Sequence, residues 1–470
     1  MRTSRFAILV ILIVVMLVFF YKLNDYRACR HQIPQGVSLA GIPLGGKWEA
    51  EAMELLGEAV AKPVKLNYLD QSLLLHPQDV GFQFQAEEML EEVNRLKAKT
   101  SFWPGFADYL TNDEPQPVDI PLQASFDEEQ LKHFLESIAE EYDHPLQEPY
   151  ANADTLTFVP GQPEQRLDIE ASLPLVVNAL TSAVAREVDL VVNVGPSPRQ
   201  PGLWMMGQMI EGILADFPGF YSIYIKDLAT GEEFSDDADV AYAGMSILKI
   251  AIMMEAYRHL DGPPDLDTTK ILTETMTLSG NFTANLLLRD TIGDGDAYQG
   301  VRRLNQTMKL IGLVNTFMAT PYDEDVLPQH ISTPANQRTD VSTNPDPFMQ
   351  TTPEDMGRLL EMIYQCAQGG GTLIAAYPDE LTPDECQAML DMMSQNHIGA
   401  LIEAGVPEGT RVAHKHGWVG DTHGDAGIVF TPGGDYVLCI YLYHQGWLEW
   451  EVSSPLMARI SEATYKYFNR

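Results

Sequence analysis

Apolar and polar residues follow different rhythms along the chain, and each change of rhythm marks a part. From Phe6 to Tyr21 there is no alternation: FAILVILIVVMLVFFY is sixteen apolar or aromatic residues in succession. As a helix this run spans about 24 Å, slightly less than a hydrocarbon core of about 30 Å. Arg5 and Lys22 at its ends can snorkel across the difference. An uncleaved signal anchor over residues 1–30 is predicted. The rival is a cleaved signal peptide, but Lys22 to Arg30 offers no small-residue cleavage site, and Tyr26-Arg27-Ala28 before Cys29 is a poor lipoprotein signal. Arg2 and Arg5 on one side and Lys22, Arg27 and Arg30 on the other leave orientation undecided by charge.

Residues 31–194 show short strand-like runs followed by helical periodicity, twice over. LLLHPQDVGFQFQAEEMLEEV from Leu73 and LTFVPGQPEQRLDIEASLPLVV from Leu156 both read as strand, turn, strand and amphipathic helix. Placing Pro77 over Pro160 sets Phe84 over Leu167, Ala86 over Ile169 and Glu87 over Glu170. A helical pattern precedes each copy, near Glu49–Val60 and Asp127–Tyr142. Two copies of one small α+β unit are the simple reading; chance similarity of two α+β hairpins is the alternative. Residues 195–202, GPSPRQPG, cannot continue a helix or a central strand and form a linker. From 203 to 470 a strand-like run (YSIYIKDLATGEEF) is followed by a helix from about Ser246 to His259 and further helical segments to about Gln395. Three strand-like runs and a final amphipathic helix close the chain. One sheet closed by the two ends of this region, with a helical subdomain, is expected: an α+β fold.

Composition narrows the function. With 30 Lys+Arg against 66 Asp+Glu the formal net charge is −36, so the chain would be repelled by a phosphate backbone and no nucleic acid is expected as partner. Four cysteines are too few for a disulfide scaffold; Cys366 and Cys386 are a possible pair outside the cell, which spacing alone leaves open. Cys439 and the pairs Met205-Met206, Met253-Met254 and Met392-Met393 read as packing, and Glu87 and Glu170 as first-turn helix charges.

The candidate chemistry lies in three short motifs. Ser246 and Lys249 stand three apart at a predicted helix start, stacked on one face. A lysine amine beside a hydroxyl accepts its proton if desolvation or a nearby cation lowers its pKa. On spacing alone, the pair reads as an ordinary helix cap and a solvated lysine; the later motifs change that. Ser279-Gly280-Asn281 precedes a leucine-rich helix, and Lys415-His416-Gly417 lies in a strand-like run. There the glycine would let a substrate backbone approach the strand edge. His414, His416 and His423 raise the thought of a metal, but no fourth ligand is evident and Lys415 sits between them; no metal and no cofactor are expected.

The order S-x-x-K, S-x-N, K-x-G over residues 203–470 resembles the serine β-lactamase and penicillin-binding-protein superfamily, and within it the class A β-lactamase-like serine hydrolases. DLATGEEF, SGNFTANLLL, Thr351-Thr352-Pro353 and HKHGWVGDTHGDAGIVF add to the likeness. The resemblance implies an acylated nucleophile at Ser246, a base or proton relay at Lys249, a proton shuttle at Ser279 and a positioning amide at Asn281. It also implies a carboxylate anchor at Lys415 and an oxyanion hole from the backbone N–H groups of Ser246 and Trp418. Residues 31–194 resemble the peptidoglycan-binding repeats found beside VanW-like and L,D-transpeptidase domains.

Three departures stand out. Gly280 replaces the usual Asp. His416 replaces Thr or Ser, so that a protonated imidazole would bind the substrate carboxylate in a pH-dependent way. Glu324-Asp325-Val326-Leu327-Pro328 only half fits the loop that carries the deacylating Glu, with Pro in place of Asn. The implied protein is a membrane-anchored serine hydrolase with its bulk outside the cytoplasmic membrane, acting on a β-lactam or D-alanyl-D-alanine-like peptide in peptidoglycan. A non-catalytic peptidoglycan-binding or sensor protein on the same fold is the alternative, and an esterase or amidase for another substrate is a third.

Overall fold

The computed structural model describes residues 2–111, 116–327 and 329–470, with side chains from residue 7 onward. Contacts divide the chain into two compact units: 1–147 with 162–198, and 148–161 with 199–470.

The first unit begins with helix α1 (Arg2–Cys29). Its span Ala7–Cys29 is long and apolar enough to cross a membrane, and only 6% of the most apolar stretch is covered by protein, unlike a core helix. Phe106, on the short helix Phe102–Thr111, meets Phe19 of α1 at 5.6 Å. Beyond α1 the two stretches expected as copies do not form separate units. Strand Val37–Leu39 pairs in parallel with Val118–Ile120, and hairpin Val64–Tyr68/Gln71–Leu75 pairs in parallel with Glu187–Asp189. Each pairing joins the first half to the second. The core follows: Val64, Leu66 and Leu75 of the first hairpin pack with Leu131, Leu135 and Val176 from helices of the second half. The second hairpin, Tyr150–Asn152/Thr157–Val159, belongs instead to the other unit. A two-stranded hairpin is marginal alone. This one finds cover where Phe158 meets Tyr467 at 5.3 Å and the Ala151 N–H donates to Gln208. The stretch 31–194 is therefore not one contiguous unit.

The second unit is built on a five-stranded antiparallel sheet. Its strands are β1 (Phe220–Asp227), β2 (Glu233–Asp236), β3 (Arg411–Trp418), β4 (Thr422–Phe430) and β5 (Tyr436–Tyr443), in spatial order β2-β1-β5-β4-β3. As the pattern predicted, strands from both ends of the region meet in one sheet. The helices of this unit include α2 (Lys249–Arg258), α3 (Asn281–Leu286), α4 (Pro353–Ala367), α5 (Pro383–Met393) and α6 (Trp450–Phe468). Side chains alternate across the sheet. Ile223, Ile440 and Leu442 face Met209, Met457 and Ile460 on one side, while Tyr224, Cys439 and Tyr441 face Met253, Leu359 and Met393 on the other. With both faces covered, the central strands read as continuous apolar runs rather than alternating ones. Cys366 of α4 and Cys386 of α5 form a disulfide, which resolves the pairing that spacing left open. Helix α2 has nine of ten residues buried. Such a helix shows no polar face, and its one lysine has nowhere to go but inward.

Candidate active site

Ser246 lies on a 3-10 turn, Met245–Leu248, that runs directly into α2. Met245 before it has φ 49°, a left-handed conformation that costs a methionine roughly 1 kcal/mol. The Tyr322 hydroxyl, donating to the Met245 carbonyl at 2.9 Å, holds the turn. Lys249 follows one helical turn later with no exposed surface. Its Nζ lies 2.7 Å from Ser246 Oγ, 2.8 Å from the Ser279 carbonyl, 2.8 Å from Asn281 Oδ1 and 3.4 Å from Ser279 Oγ. Burial first, then the charge of Lys415, lower its pKa to about 7 against the pull of Asp323. Near neutral pH a substantial share of the amine therefore carries a free electron pair, within hydrogen-bond reach of the serine proton.

Ser279 also sits in the left-handed region, at φ 59°, just before α3 opens at Asn281. The glycine between them has a steric cause: a Cβ on Gly280 would lie 2.5 Å from Thr283 Oγ1. That hydroxyl caps the Gly280 carbonyl at 3.1 Å, so an aspartate here would displace the cap.

β3 is an edge strand and its two faces do different things. Lys415 and Gly417 point one way. A Cβ on Gly417 would fall 2.8 Å from the Ser246 nitrogen, so this glycine brings the strand against the nucleophile's own backbone. That differs from the expected role of admitting a substrate chain. Lys415 is fully buried, and its ammonium donates to the His416 carbonyl at 3.2 Å. Burial, opposed by Asp425, brings its pKa down to about 8.

His414, His416 and Trp418 share the other face. His414 Nδ1 donates to both oxygens of Asp425, at 2.9 and 3.0 Å, and its Nε2 donates to the Asn396 carbonyl at 2.8 Å. Burial alone would lower the His414 pKa, but the Asp425 carboxylate outweighs it and raises it. Asn396 Nδ2 in turn donates to His416 Nδ1 at 3.2 Å. Burial, then the charge of Lys415, hold the His416 pKa down to about 4. Such a ring does not carry the proton that the expected carboxylate contact of a charged His416 calls for. The ring is neutral, its Nδ1 accepts, and its proton sits on Nε2. Trp418 stacks on it at 5.3 Å and 8°.

The cleft at Ser246, about 320 Å³, is lined by Asn281, Tyr322, Asp323, Glu324, Asp346 and Trp418 among others. Lys249, Ser279, Lys415, His416 and Gly417 are not among its lining residues. Glu324 is exposed, with its carboxylate accepting from the Tyr298 hydroxyl at 3.3 Å. Asp323, which sequence reasoning missed, lies closer to the chemistry: it accepts from Asn281 Nδ2 at 3.2 Å. Its only signal was adjacency to Glu324 in an acidic triplet. Among the described residues, neither carboxylate hydrogen-bonds Ser246 or Lys249. Pro328, the expected departure in this loop, lies outside the described residues.

The arrangement is a serine hydroxyl paired with a desolvated lysine amine, which suits acyl transfer. A family model described as the Beta-lactamase enzyme family matches residues 206–270 and 263–468. A β-lactamase of Bacillus licheniformis is 32% identical over 96 residues, 20% of this chain and 31% of that one. The alignment thus spans about a third of that relative's length. Solved structures similar to this chain include PBP-A, at 22% identity and TM-score 0.44 over 58% of this chain and 98% of that one. The β-lactamase of Sphaerobacter thermophilus matches at 18% identity and TM-score 0.43, over 57% of this chain and 98% of that one. An ancestral class A β-lactamase matches at 19% and 0.43, over 56% and 99%. With the family model accounting for more than half of its length, and with the Ser246–Lys249 pair inside the matched region, this chain belongs to the Beta-lactamase enzyme family.

Proposed function

We propose that this protein is a membrane-anchored, extracytoplasmic serine hydrolase that forms an acyl-enzyme on Ser246 with a β-lactam or a D-alanyl-D-alanine-like peptide. The observation that carries the reading is the contact of Lys249 Nζ with Ser246 Oγ at 2.7 Å, with the lysine buried and its pKa near 7. Neutral Lys249 takes the hydroxyl proton as Ser246 Oγ bonds to the substrate carbonyl carbon. The carbonyl oxygen becomes an oxyanion held by the backbone N–H groups of Ser246 and Trp418. The carbon–nitrogen bond then breaks, and the proton passes from Lys249 through Ser279 Oγ to the leaving nitrogen. The electron pair of the broken bond accepts it, and Lys249 ends neutral. Asn281 holds Lys249 in place, and Lys415 supplies a fixed positive charge behind the site.

Water must then cleave the ester. Asp323 and Glu324 line the cleft without bonding Ser246 or Lys249, which favours slow deacylation and a peptidase-like enzyme over an efficient β-lactamase. Glu324 is the expected base for that step and Asp323 its nearest competitor. Helix α1 would anchor the chain, and the interleaved segments 31–147 and 162–198 would hold it at peptidoglycan.

Intact-mass spectrometry of the full chain in detergent micelles with benzylpenicillin, with Ser246→Ala as control, tests this. A lasting adduct on the unmodified chain alone is expected. Ser246-dependent drug hydrolysis without an adduct would mean an efficient β-lactamase. Intact drug with no adduct would leave a non-catalytic wall-binding protein or a hydrolase of another substrate.

A further inference from the structure

The short helix Phe102–Thr111 carries apolar residues on two opposite sides, and the fold covers one of them. Its inner side lies on α1. Phe102, Phe106 and Tyr109 meet Tyr26 at 5.3, 5.4 and 5.5 Å, and the Tyr109 hydroxyl donates to Asp25. A Cβ on Gly105 would collide with the Tyr26 hydroxyl, so this glycine lets the two helices close up. The outer side holds Trp103, Ala107 and Leu110, one helical turn apart and all exposed. Trp103 and Leu110 keep 63% and 51% of their surface open. Asp108 is the one charged residue of the ten. A helix this apolar all round suits a protein interior or lipid, not water.

Its place along α1 favours lipid. The Arg30 guanidinium lies 5.7 Å from the Phe102 ring and the Lys22 ammonium 5.3 Å from that of Tyr109, while Phe106 meets Phe19 at 5.6 Å. The helix thus runs back from the end of α1 toward its apolar run. Phe19 stands two residues inside the end of that run at Tyr21. When Phe6–Tyr21 crosses the hydrocarbon core, Phe106 is at the edge of that core. Ten residues make a helix of about 15 Å, too short to cross and long enough to lie in the headgroup layer.

A second tryptophan points the same way. The first unit has two, Trp48 and Trp103. Trp48 is exposed too, and its backbone bridges to Gln32, two residues past Arg30. Both indoles of this unit therefore stand open near the end of α1, with Lys22, Arg27 and Arg30 on α1 and just after it. Indoles and long basic side chains are the groups that settle at a membrane–water boundary. We propose that the helix Phe102–Thr111 lies in the bilayer surface beside α1, with Trp103, Ala107 and Leu110 against lipid. The first unit is then seated on the membrane rather than tethered above it. This rests on α1 being the membrane anchor.

The test uses the full chain in phosphatidylcholine vesicles, in a Cys29→Ser background, with a nitroxide attached in turn at Leu110→Cys, Val14→Cys and Asp70→Cys. Cys439 is buried and Cys366 and Cys386 are paired, so the introduced thiol takes the label. Collisions with oxygen, which concentrates in lipid, are compared with collisions with a water-soluble nickel chelate. The oxygen-to-nickel ratio at Leu110 should exceed that at the exposed Asp70 by about fivefold and approach that at Val14. A ratio at Leu110 equal to that at Asp70, with Val14 in lipid, overturns the inference and leaves the anchor standing. Leu110 shielded from both reagents overturns it in favour of a protein partner. A Val14 label open to nickel means that α1 is outside the bilayer, and both readings fall. Should Leu110→Cys not fold, Trp103→Cys is read against the same outcomes.

Discussion

The two faces of β3 carry buried titratable groups side by side and treat them in opposite ways. Toward Ser246, Lys415 is buried without a carboxylate bonded to it, and with Lys249 it forms a pair of amines whose pKa values both fall. On the far face, His414 is equally buried but bonds Asp425, so it holds its proton and the carboxylate holds its charge. One position along the same face, His416 has only an amide for a partner and is neutral. Burial lowers the charged form of every one of these groups; the presence of a counter-charge decides which of them stays charged. The first face is thereby poised for proton transfer, and the second is a fixed support. Asp425, His414, Asn396 and His416 form one hydrogen-bonded chain that orients the ring under Trp418.

The largest way to break this comparison is to remove the amine. Lys249→Met should slow acylation of Ser246 by about 1,000-fold, read as the rate of adduct formation. It should also raise stability at neutral pH. The folded pKa is lowered, so between about 7 and the ordinary lysine value the unfolded chain binds the extra proton, and native stability grows as pH rises through that window. The variant should be less sensitive to this pH change than the unmodified chain in urea denaturation. An inactive variant with unchanged stability and the same pH slope would show that Lys249 is not held in a disfavoured charge state.

On the opposite face, Asp425→Asn should destabilise the protein by about 3 kcal/mol, because it strips the counter-charge from a fully buried imidazole. A shift of less than about 1 kcal/mol in urea denaturation would mean that the pair contributes little to the fold.

A finer test is coupling between the lysines. Acylation needs neutral Lys249, so its rate should climb with pH through about 7 and then level. Lys415→Met removes the repelling charge, so the climb should move to higher pH. A shift to lower pH, or none, would contradict the coupling. The smallest effect is expected at His416. In a Ser246→Ala background, His416→Gln should leave the ratio of benzylpenicillin affinities at pH 5.5 and 7.5 within about twofold, since the ring is already neutral at both. A change beyond that would restore the protonated histidine as an anion ligand.

Much of the site was legible in the chain because its geometry is local. The three-residue step from Ser246 to Lys249 puts both on one helix face, and S-x-N before a leucine-rich helix placed Ser279 and Asn281 at a helix start. The join of the two ends of residues 203–470 in one sheet was also readable from strand-like runs at both ends. What was not legible was non-local. The interleaving of the first unit depends on strand pairings between its halves, which similar runs of residues do not specify. The second hairpin left that unit because a partner surface for Phe158 lay elsewhere. Asp323 looked no different from its acidic neighbours until the fold set it on Asn281.

By itself the sequence determined that a serine and a lysine share a helix face, that a strand with Lys415 and Gly417 follows late in the chain, and that the N-terminal run is apolar enough to span a bilayer. Only the tertiary structure decided charge. His414 and His416 stand two residues apart on one face of one strand, with identical side chains, and local sequence cannot distinguish them. The fold brings Asp425 to the first and Asn396 to the second, and in a buried site a single carboxylate is enough to reverse the state of a proton.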